Sequence, residues 1–343
     1  MIQRDEQLST IDRAYGALVG LAIGDALGMP TQSMSAEAIQ NAYGTIAGFR
    51  DAVAEQPIAP HMTAGRVTDD TEQALLLAHR LLEDCGELDV LAYAKDLLQW
   101  EAAMKAKGSF DLLGPSTKAA LEALEQGVPP ERTGTRGTTN GGAMRCAPVG
   151  IAFAPGDKLA HAARRSCIVT HNTVQGIEAT TLVAAAVSFG MTGMNPRATL
   201  NQAVAFTAQQ ARTGYWSAKA SVLERTRMTL EWVTDVGADV DDAAFTRWVR
   251  MAVGTSVEAN ESVPAAFAVA YRYADQPFDA LCTAASLGGD TDTIAAMCGA
   301  ILGACLGADV FGAQHRQMVE QVNGFDLAAV AAQLVALREG SEQ

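Results

Sequence analysis

The chain has 343 residues, of which 49% are hydrophobic and only 6% aromatic, and its 25 basic and 39 acidic side chains give a net charge of −14. A chain of this length can bury a substantial core. Its negative charge repels nucleic-acid backbones and anionic membrane surfaces, so we expect neither as a partner.

Apolar residues recur at helical spacing along almost the whole chain. The first clear predicted helix begins near residue 68. The others, in chain order, cover residues 88–104, 174–189, 200–211, 293–303 and 325–337. Turn signals at 28–32, 127–142, 154–157 and 193–196 separate them, and no convincing series of alternating strands appears. The sequence therefore predicts an all-α fold.

Nothing in the sequence divides the chain into parts. The sequence contains no linker, low-complexity tract, shift in charge or fixed repeat. This predicts a single domain over residues 1–343, packed as a compact bundle.

The cysteines and the first residues indicate a cytoplasmic protein. None of the six cysteines stands in a CxxC pair, so we expect reduced thiols in the core. The acidic start MIQRDEQLSTIDR is unlike a signal peptide. The uncharged segment 294–308 is shorter than the roughly 20 residues of a membrane span, which predicts a buried core helix.

Two clusters of Thr and Asp stand at predicted helix starts. The first contains Thr68, Asp69 and Asp70 in TDDTEQALLLA, and the second contains Asp290, Asp292 and Thr293 in GGDTDTIAAMCGA. One interpretation is helix capping, which stabilises a helix by roughly 1 kcal/mol.

The other interpretation of the two clusters is a metal site. Carboxylates without a nearby Lys or Arg repel one another unless a cation lies between them. An all-oxygen set of ligands favours Mg²⁺ or Mn²⁺. If the two helix starts converge, they could hold two ions about 3.5 to 4 Å apart, a spacing used to activate water.

The glycine-rich loop GTRGTTNGGAMR, residues 134–145, lacks the Gly-Lys-Ser/Thr ending of a nucleotide P-loop. Its glycines could let backbone amides approach a phosphate at a helix N-terminus, or the loop could be an ordinary connection. His171 could be a cap or a buried core residue. Asp25 falls in an apolar helix, where we expect it to support a cleft through hydrogen bonds.

Five segments together resemble the ADP-ribosylglycohydrolase family: GALVGLAIGDALG, TDDTEQALLLA, GTTNGGAMRCAPVG, THNTVQGIEAT and SLGGDTDTIAAMCGAILGA. They run in the family's order from about residue 14 to 305. The resemblance implies an all-α orthogonal bundle with a cleft that holds two Mg²⁺ or Mn²⁺ ions and no other cofactor.

Site residues follow from the same resemblance. It implies metal ligands at Thr68, Asp69, Asp70, Asp290, Asp292 and Thr293. It also implies that Asn140, Gly141, Gly142 and His171 lie at the substrate. Where many family members carry a Glu after the GDALG motif, this chain has Gln32, which we expect at the substrate but which cannot act as a general base. The base would then be a metal-bound hydroxide or one of the catalytic candidates Asp69 and Asp70.

The resulting functional prediction is a metal-dependent hydrolase of a glycosidic bond to ribose. Its substrate would be an ADP-ribosylated protein side chain or a small ADP-ribosyl compound. The alternatives are a hydrolase of a smaller, nucleoside-like riboside and a non-catalytic ADP-ribose-binding or structural protein. The complete set of six ligands argues against the last.

Overall fold

The computed structural model describes residues 8–106, 114–236 and 239–341. Over these ranges the chain forms seventeen α-helices, a few short 3-10 and π turns and no β-strand beyond isolated bridges. The all-α prediction is confirmed. The helices are α1 (Thr10–Gly28), α2 (Ala36–Tyr43), α3 (Asp69–Glu83), α4 (Val90–Ala106), α5 (Pro115–Glu125), α6 (Gly141–Met144), α7 (Ala147–Ala152), α8 (Asp157–His171), α9 (Val174–Gly190), α10 (Pro196–Gln209), α11 (Val222–Asp235), α12 (Asp242–Trp248), α13 (Ala259–Arg272), α14 (Pro277–Ala285), α15 (Thr291–Leu306), α16 (Ala313–Asn323) and α17 (Leu327–Ser341).

Helices α1 and α15 pack against each other with almost no side chain between them. Their contact is a glycine face on α1, made of Gly16, Gly20, Gly24 and Gly28. A Cβ atom added at Gly20 would lie 2.3 Å from the carbonyl oxygen of Gly299, and one at Gly24 would lie 2.1 Å from that of Ala295. The two backbones are therefore in direct contact.

The order of these contacts makes the two helices antiparallel. Gly16 meets Gly303 near the end of α15, whereas Gly28 meets Asp292 near its start. The last turn of α1 consequently lies beside the first turn of α15, where one of the two Thr/Asp clusters stands. In addition, the hydroxyl of Thr291 donates a hydrogen bond to the carbonyl oxygen of Gly28 at 3.0 Å.

The predicted core helix over residues 294–308 corresponds to most of α15, which is buried along nearly its whole length. None of the helices in the described part of the chain is long and apolar enough to cross a membrane. Five cysteines are buried as expected, but Cys85 is exposed, because it lies in the turn that follows α3.

Candidate active site

Asp25 of α1 fixes the start of α3. Its carboxylate is fully buried and accepts hydrogen bonds from the backbone amides and the hydroxyls of both Thr68 and Thr71, including one of 2.8 Å from Thr68 Oγ1. Burial raises the pKa of Asp25 to about 6, against the hydrogen bonds from Thr71 and Thr68, which lower it. The prediction that Asp25 supports the cleft through hydrogen bonds is confirmed.

The capping interpretation is wrong for both helix starts. Thr68 and Asp290 are the N-cap residues of α3 and α15, yet neither side chain accepts a capping hydrogen bond from the first turn. The Thr68 hydroxyl is directed to Asp25 instead. The side chains of Thr68 and Asp290 therefore bond to other parts of the site, to Asp25 and Asn140, and do not cap their own helices.

The two Thr/Asp clusters converge, as the sequence predicts. Thr293 Oγ1 donates a hydrogen bond of 3.3 Å to Asp70 Oδ2, across 223 residues of sequence, and Thr68 Oγ1 lies 3.3 Å from the same oxygen. The other oxygen, Asp70 Oδ1, is buried and accepts no hydrogen bond from the protein. Burial, followed by the charge of Asp292, raises the pKa of Asp70 well above its usual range.

A turn of two glycines delivers the second cluster to this position. Gly288 and Gly289 both have φ +83°, a conformation that other residues rarely adopt. The backbone of Gly289 exchanges hydrogen bonds with Ser33 and Met34, and the amide of Asp290 donates to the carbonyl oxygen of Thr255. The residues that follow Gln32 are thereby held against the start of α15.

A cavity of about 270 Å³ opens over the converging helix starts. Of the residues predicted from the sequence, seven line it: Gln32, Asp69, Asn140, Gly141, Asp290, Asp292 and Thr293. Thr68 and Asp70 are buried and lie outside the lining, as do Gly142 and His171. Thr117 and Thr139 also line the cavity and were not predicted.

The glycine-rich loop reaches the aspartates through Asn140. Asn140 Nδ2 donates hydrogen bonds to Asp290 Oδ2 and to Ser262 Oγ. A Cβ atom at Gly141 would lie 2.9 Å from the ring of His171, and one at Gly142 would lie 2.6 Å from Thr180 Oγ1. Both glycines are thus required for packing within the protein, and Gly141 also lines the cavity.

The structure does not support the predicted phosphate site at the helix N-terminus that follows this loop. Helix α6, which follows Asn140, is only four residues long. The field of a helix depends on aligned peptide dipoles, and so short a helix contributes few of them.

His171 is a fully buried residue at the end of α8. Its Nε2 lies 2.9 Å from Thr139 Oγ1 and its Nδ1 lies 2.8 Å from Thr170 Oγ1. Burial, followed by the charge of Arg145, lowers the pKa of His171 to about 3. The neutral ring therefore supports Thr139, which lines the cavity.

Sequence reasoning missed Arg145 and Gln73, which connect the two sides of the site. The Arg145 guanidinium is almost fully buried and donates hydrogen bonds to Gln73 Oε1 at 2.9 Å and to Thr170 Oγ1 at 2.7 Å. Gln73 Nε2 in turn donates to Asp69 Oδ2 at 2.7 Å. A signal was present, because Arg145 is the one charged residue between 137 and 156.

The donor atoms of these residues are of the chemical type that binds a metal ion. All the donors are oxygens, which suits Mg²⁺ or Mn²⁺, and Asp70 Oδ1 is a buried acceptor that a cation could pair. However, within the described ranges no three His, Cys, Asp or Glu side chains are grouped closely enough to hold a metal ion. The binuclear centre therefore stays a prediction.

Comparison with known proteins connects this chain to one family. The family model described as ADP-ribosylglycohydrolase matches residues 6–343. An uncharacterized protein of Escherichia coli is 31% identical over 96% of this chain and 98% of its own length. The ADP-ribosylarginine hydrolase of Pseudomonas putida is 28% identical (96% of this chain, 82% of that protein), and the human ADP-ribosylhydrolase is 27% identical (93% and 92%).

A solved structure supports the fold. It is described as an ADP-ribosylglycohydrolase-related protein complex, and it covers 96% of this chain and 99% of its own with a TM-score of 0.66 at 24% identity.

Proposed function

Because the chain belongs to the ADP-ribosylglycohydrolase family, we propose that it is a metal-dependent hydrolase that cleaves a glycosidic bond to ribose. The proposed substrate is an ADP-ribosylated side chain or a small ADP-ribosyl compound. The observation that carries this proposal is the convergence of the Thr and Asp side chains of α3 and α15 around Asp70, at the floor of a cavity.

The proposed reaction is hydrolysis at the anomeric carbon of the ribose. The oxygen of water forms a bond to this carbon while the bond from the carbon to the leaving group breaks. One proton of the water passes to a base, and the leaving group takes up a proton. Asp69 lines the cavity and is held by Gln73, so it can reach a substrate or water, whereas Asp70 is buried.

Two divalent ions would be held by Thr68, Asp69, Asp70, Asp290, Asp292 and Thr293. When bound, they would supply Lewis-acid activation of the water and charge stabilisation. Asn140, Gly141 and Gln32 would contact the substrate from the cavity wall. Gly142 and His171 would contribute indirectly, by holding the glycine-rich loop in place.

A smaller riboside is a second candidate substrate, and the size of the cavity favours it. The volume of about 270 Å³ lies below the roughly 300 to 1,000 Å³ of pockets that enclose larger ligands. A nucleoside needs less enclosed space than ADP-ribose.

A panel of substrates tests the proposal. Purified protein would be incubated with ADP-ribosyl-arginine, ADP-ribosyl-serine, O-acetyl-ADP-ribose and plain nucleosides, each with Mg²⁺, with Mn²⁺ and with chelator. We expect release of ADP-ribose from at least one ADP-ribosyl compound, and loss of that release in chelator. Cleavage of nucleosides alone would favour the second candidate. Full activity in chelator would exclude the metal, and no cleavage at all would exclude a hydrolase.

The variant Asp292→Asn tests the metal ligands without an activity assay. We expect it to weaken Mn²⁺ binding, measured by isothermal titration calorimetry, at least about tenfold, because the amide removes a negative charge from the site. The matched control is Asp275→Asn, since Asp275 is an exposed residue paired with Arg197. Equal Mn²⁺ affinity in the two variants would contradict the assignment.

A further inference from the structure

Two glutamine side chains line the cavity, and they differ in their hydrogen bonds. Gln73 has a partner at each end of its amide, Asp69 Oδ2 at 2.7 Å and Arg145 at 2.9 Å. Gln32 is only 6% exposed, yet its Nε2 makes no hydrogen bond with the protein. The backbone of Gln32 is nevertheless fixed, because its carbonyl oxygen accepts from Gln56 Nε2 at 3.1 Å.

A buried donor without a partner lowers stability. Gln32 lines the cavity, and its buried Nε2 is a donor that an acceptor on a bound ligand could pair. Gln32 thus differs from Gln73, whose side-chain amide already bonds to both Asp69 and Arg145.

The surroundings of Gln32 restrict the kind of acceptor. Asp69 and Asp292 line the same cavity, and where no bound cation neutralises them they repel an anionic group. A guanidinium group has donors only, so it would leave Gln32 Nε2 without a partner. A neutral carbonyl oxygen meets both conditions.

We propose that Gln32 is a specificity-determining residue whose Nε2 donates a hydrogen bond to a neutral carbonyl oxygen of the leaving group. The protein then favours ADP-ribosyl esters and other carbonyl-bearing leaving groups over the guanidinium of arginine. This inference rests on the proposed function, since it names the substrate class of the same cavity.

The kinetic test compares two substrates, O-acetyl-ADP-ribose esterified at the anomeric position and ADP-ribosyl-arginine, in the wild type and in Gln32→Leu. In the wild type we expect a higher kcat/KM for the ester. Gln32→Leu should lower kcat/KM for the ester about tenfold, the effect of losing one hydrogen bond, and should lower that for ADP-ribosyl-arginine by a clearly smaller factor. Gln32→Glu should shift the preference toward ADP-ribosyl-arginine, because a carboxylate accepts from a guanidinium.

A second readout separates this role from a structural one. Without ligand, Gln32→Leu should keep or raise the Tm, because it removes a buried donor that has no partner. The matched control Gln73→Leu should lower the Tm, because it deprives Asp69 and Arg145 of their partners.

Three results would overturn the inference. The first is an equal loss of kcat/KM for both substrates in Gln32→Leu, and the second is a fall in its Tm as large as that of Gln73→Leu. In either case the proposed hydrolase function stands, and only the role of Gln32 is lost. The third is that the wild type cleaves neither compound; the proposed function then stands if ADP-ribosyl-serine is cleaved and fails together with this inference if it is not.

Discussion

The two walls of the cavity are held in place by different kinds of contact. On the aspartate side, α1 and α15 touch through their backbones along the glycine face, and Asp25 ties the start of α3 to them. On the loop side, Arg145, Thr170, His171 and Thr139 form a buried chain of hydrogen bonds. Close backbone contact tolerates no added volume, whereas a polar chain tolerates no lost partner and responds to pH.

The largest effect should come from adding volume on the aspartate side. A Cβ atom at Gly24 would lie 2.1 Å from the carbonyl oxygen of Ala295, so Gly24→Val must push α1 and α15 apart. We expect a loss of about 3 kcal/mol or more in the free energy of unfolding, measured by urea denaturation. The control is Gly48→Ala, because a Cβ at Gly48 meets no atom within 4 Å.

If Gly24→Val were as stable as Gly48→Ala, α1 and α15 would not be in backbone contact. That contact could then not explain why the two Thr/Asp clusters lie together.

A smaller effect should follow from removing a partner on the loop side. Arg145→Met keeps much of the buried volume but leaves Gln73 Oε1 and Thr170 Oγ1 without their donor. We expect a loss of about 2 kcal/mol in the free energy of unfolding, from buried acceptors left unpaired. Activity on the best substrate of the panel should fall as well, because Gln73 no longer fixes Asp69.

The control for Arg145→Met is Arg136→Met, which removes the same charge from an exposed position of the same loop. Equal stability and activity in the two variants would show that the buried chain does not support the site.

The last prediction is a change in the slope of stability with pH, not a loss at one pH, and it should separate the two walls. The pKa of His171 is about 3 in the folded protein, below its ordinary value of 6.5, so the unfolded chain binds more protons between these values. The stability from the neutral ring is complete above pH 6.5 and is lost as pH falls toward 3, by up to ~1.4 kcal/mol per pH unit. His171→Gln should therefore lose stability less steeply than the wild type between pH 6.5 and 4.5.

Urea denaturation at a series of pH values measures this slope. The exposed His79 supplies the control variant His79→Gln, which should keep the slope of the wild type. A slope in His171→Gln equal to that of the wild type would mean that the ring titrates normally in the folded protein.

Much of the helical framework was predictable because it depends on local patterns. The predicted helix 174–189 agrees with α9 to within one residue. Helix α10 starts at Pro196, four residues before its apolar pattern, because proline is favoured in the first turn. The predicted helix 293–303 lies inside α15, whose polar first turn carries no apolar signal.

The site was predictable only where its residues stand out in the sequence. The Thr/Asp clusters and Asp25 break apolar runs, and their convergence follows from the resemblance to one family. The roles of Arg145, Gln73 and Thr139 depend on which side chains meet in space, across separations of 25 to 72 residues, and no local pattern encodes this. The sequence placed both Gly141 and Gly142 at a ligand, but of these two only Gly141 lines the cavity, and Gly142 packs against Thr180.

The glycine face also sets the time at which the site can form during synthesis. The hydrogen bond between Gly28 and Thr291 joins residues 263 positions apart. At roughly 5 to 20 residues per second, a ribosome needs about 13 to 50 s to make the intervening chain. Throughout that interval α1 has no α15 to pack against, and a nascent chain that has passed α3 carries Asp25, Asp69 and Asp70 without Asp290 and Asp292. The cavity can thus form only after the start of α15 has been made.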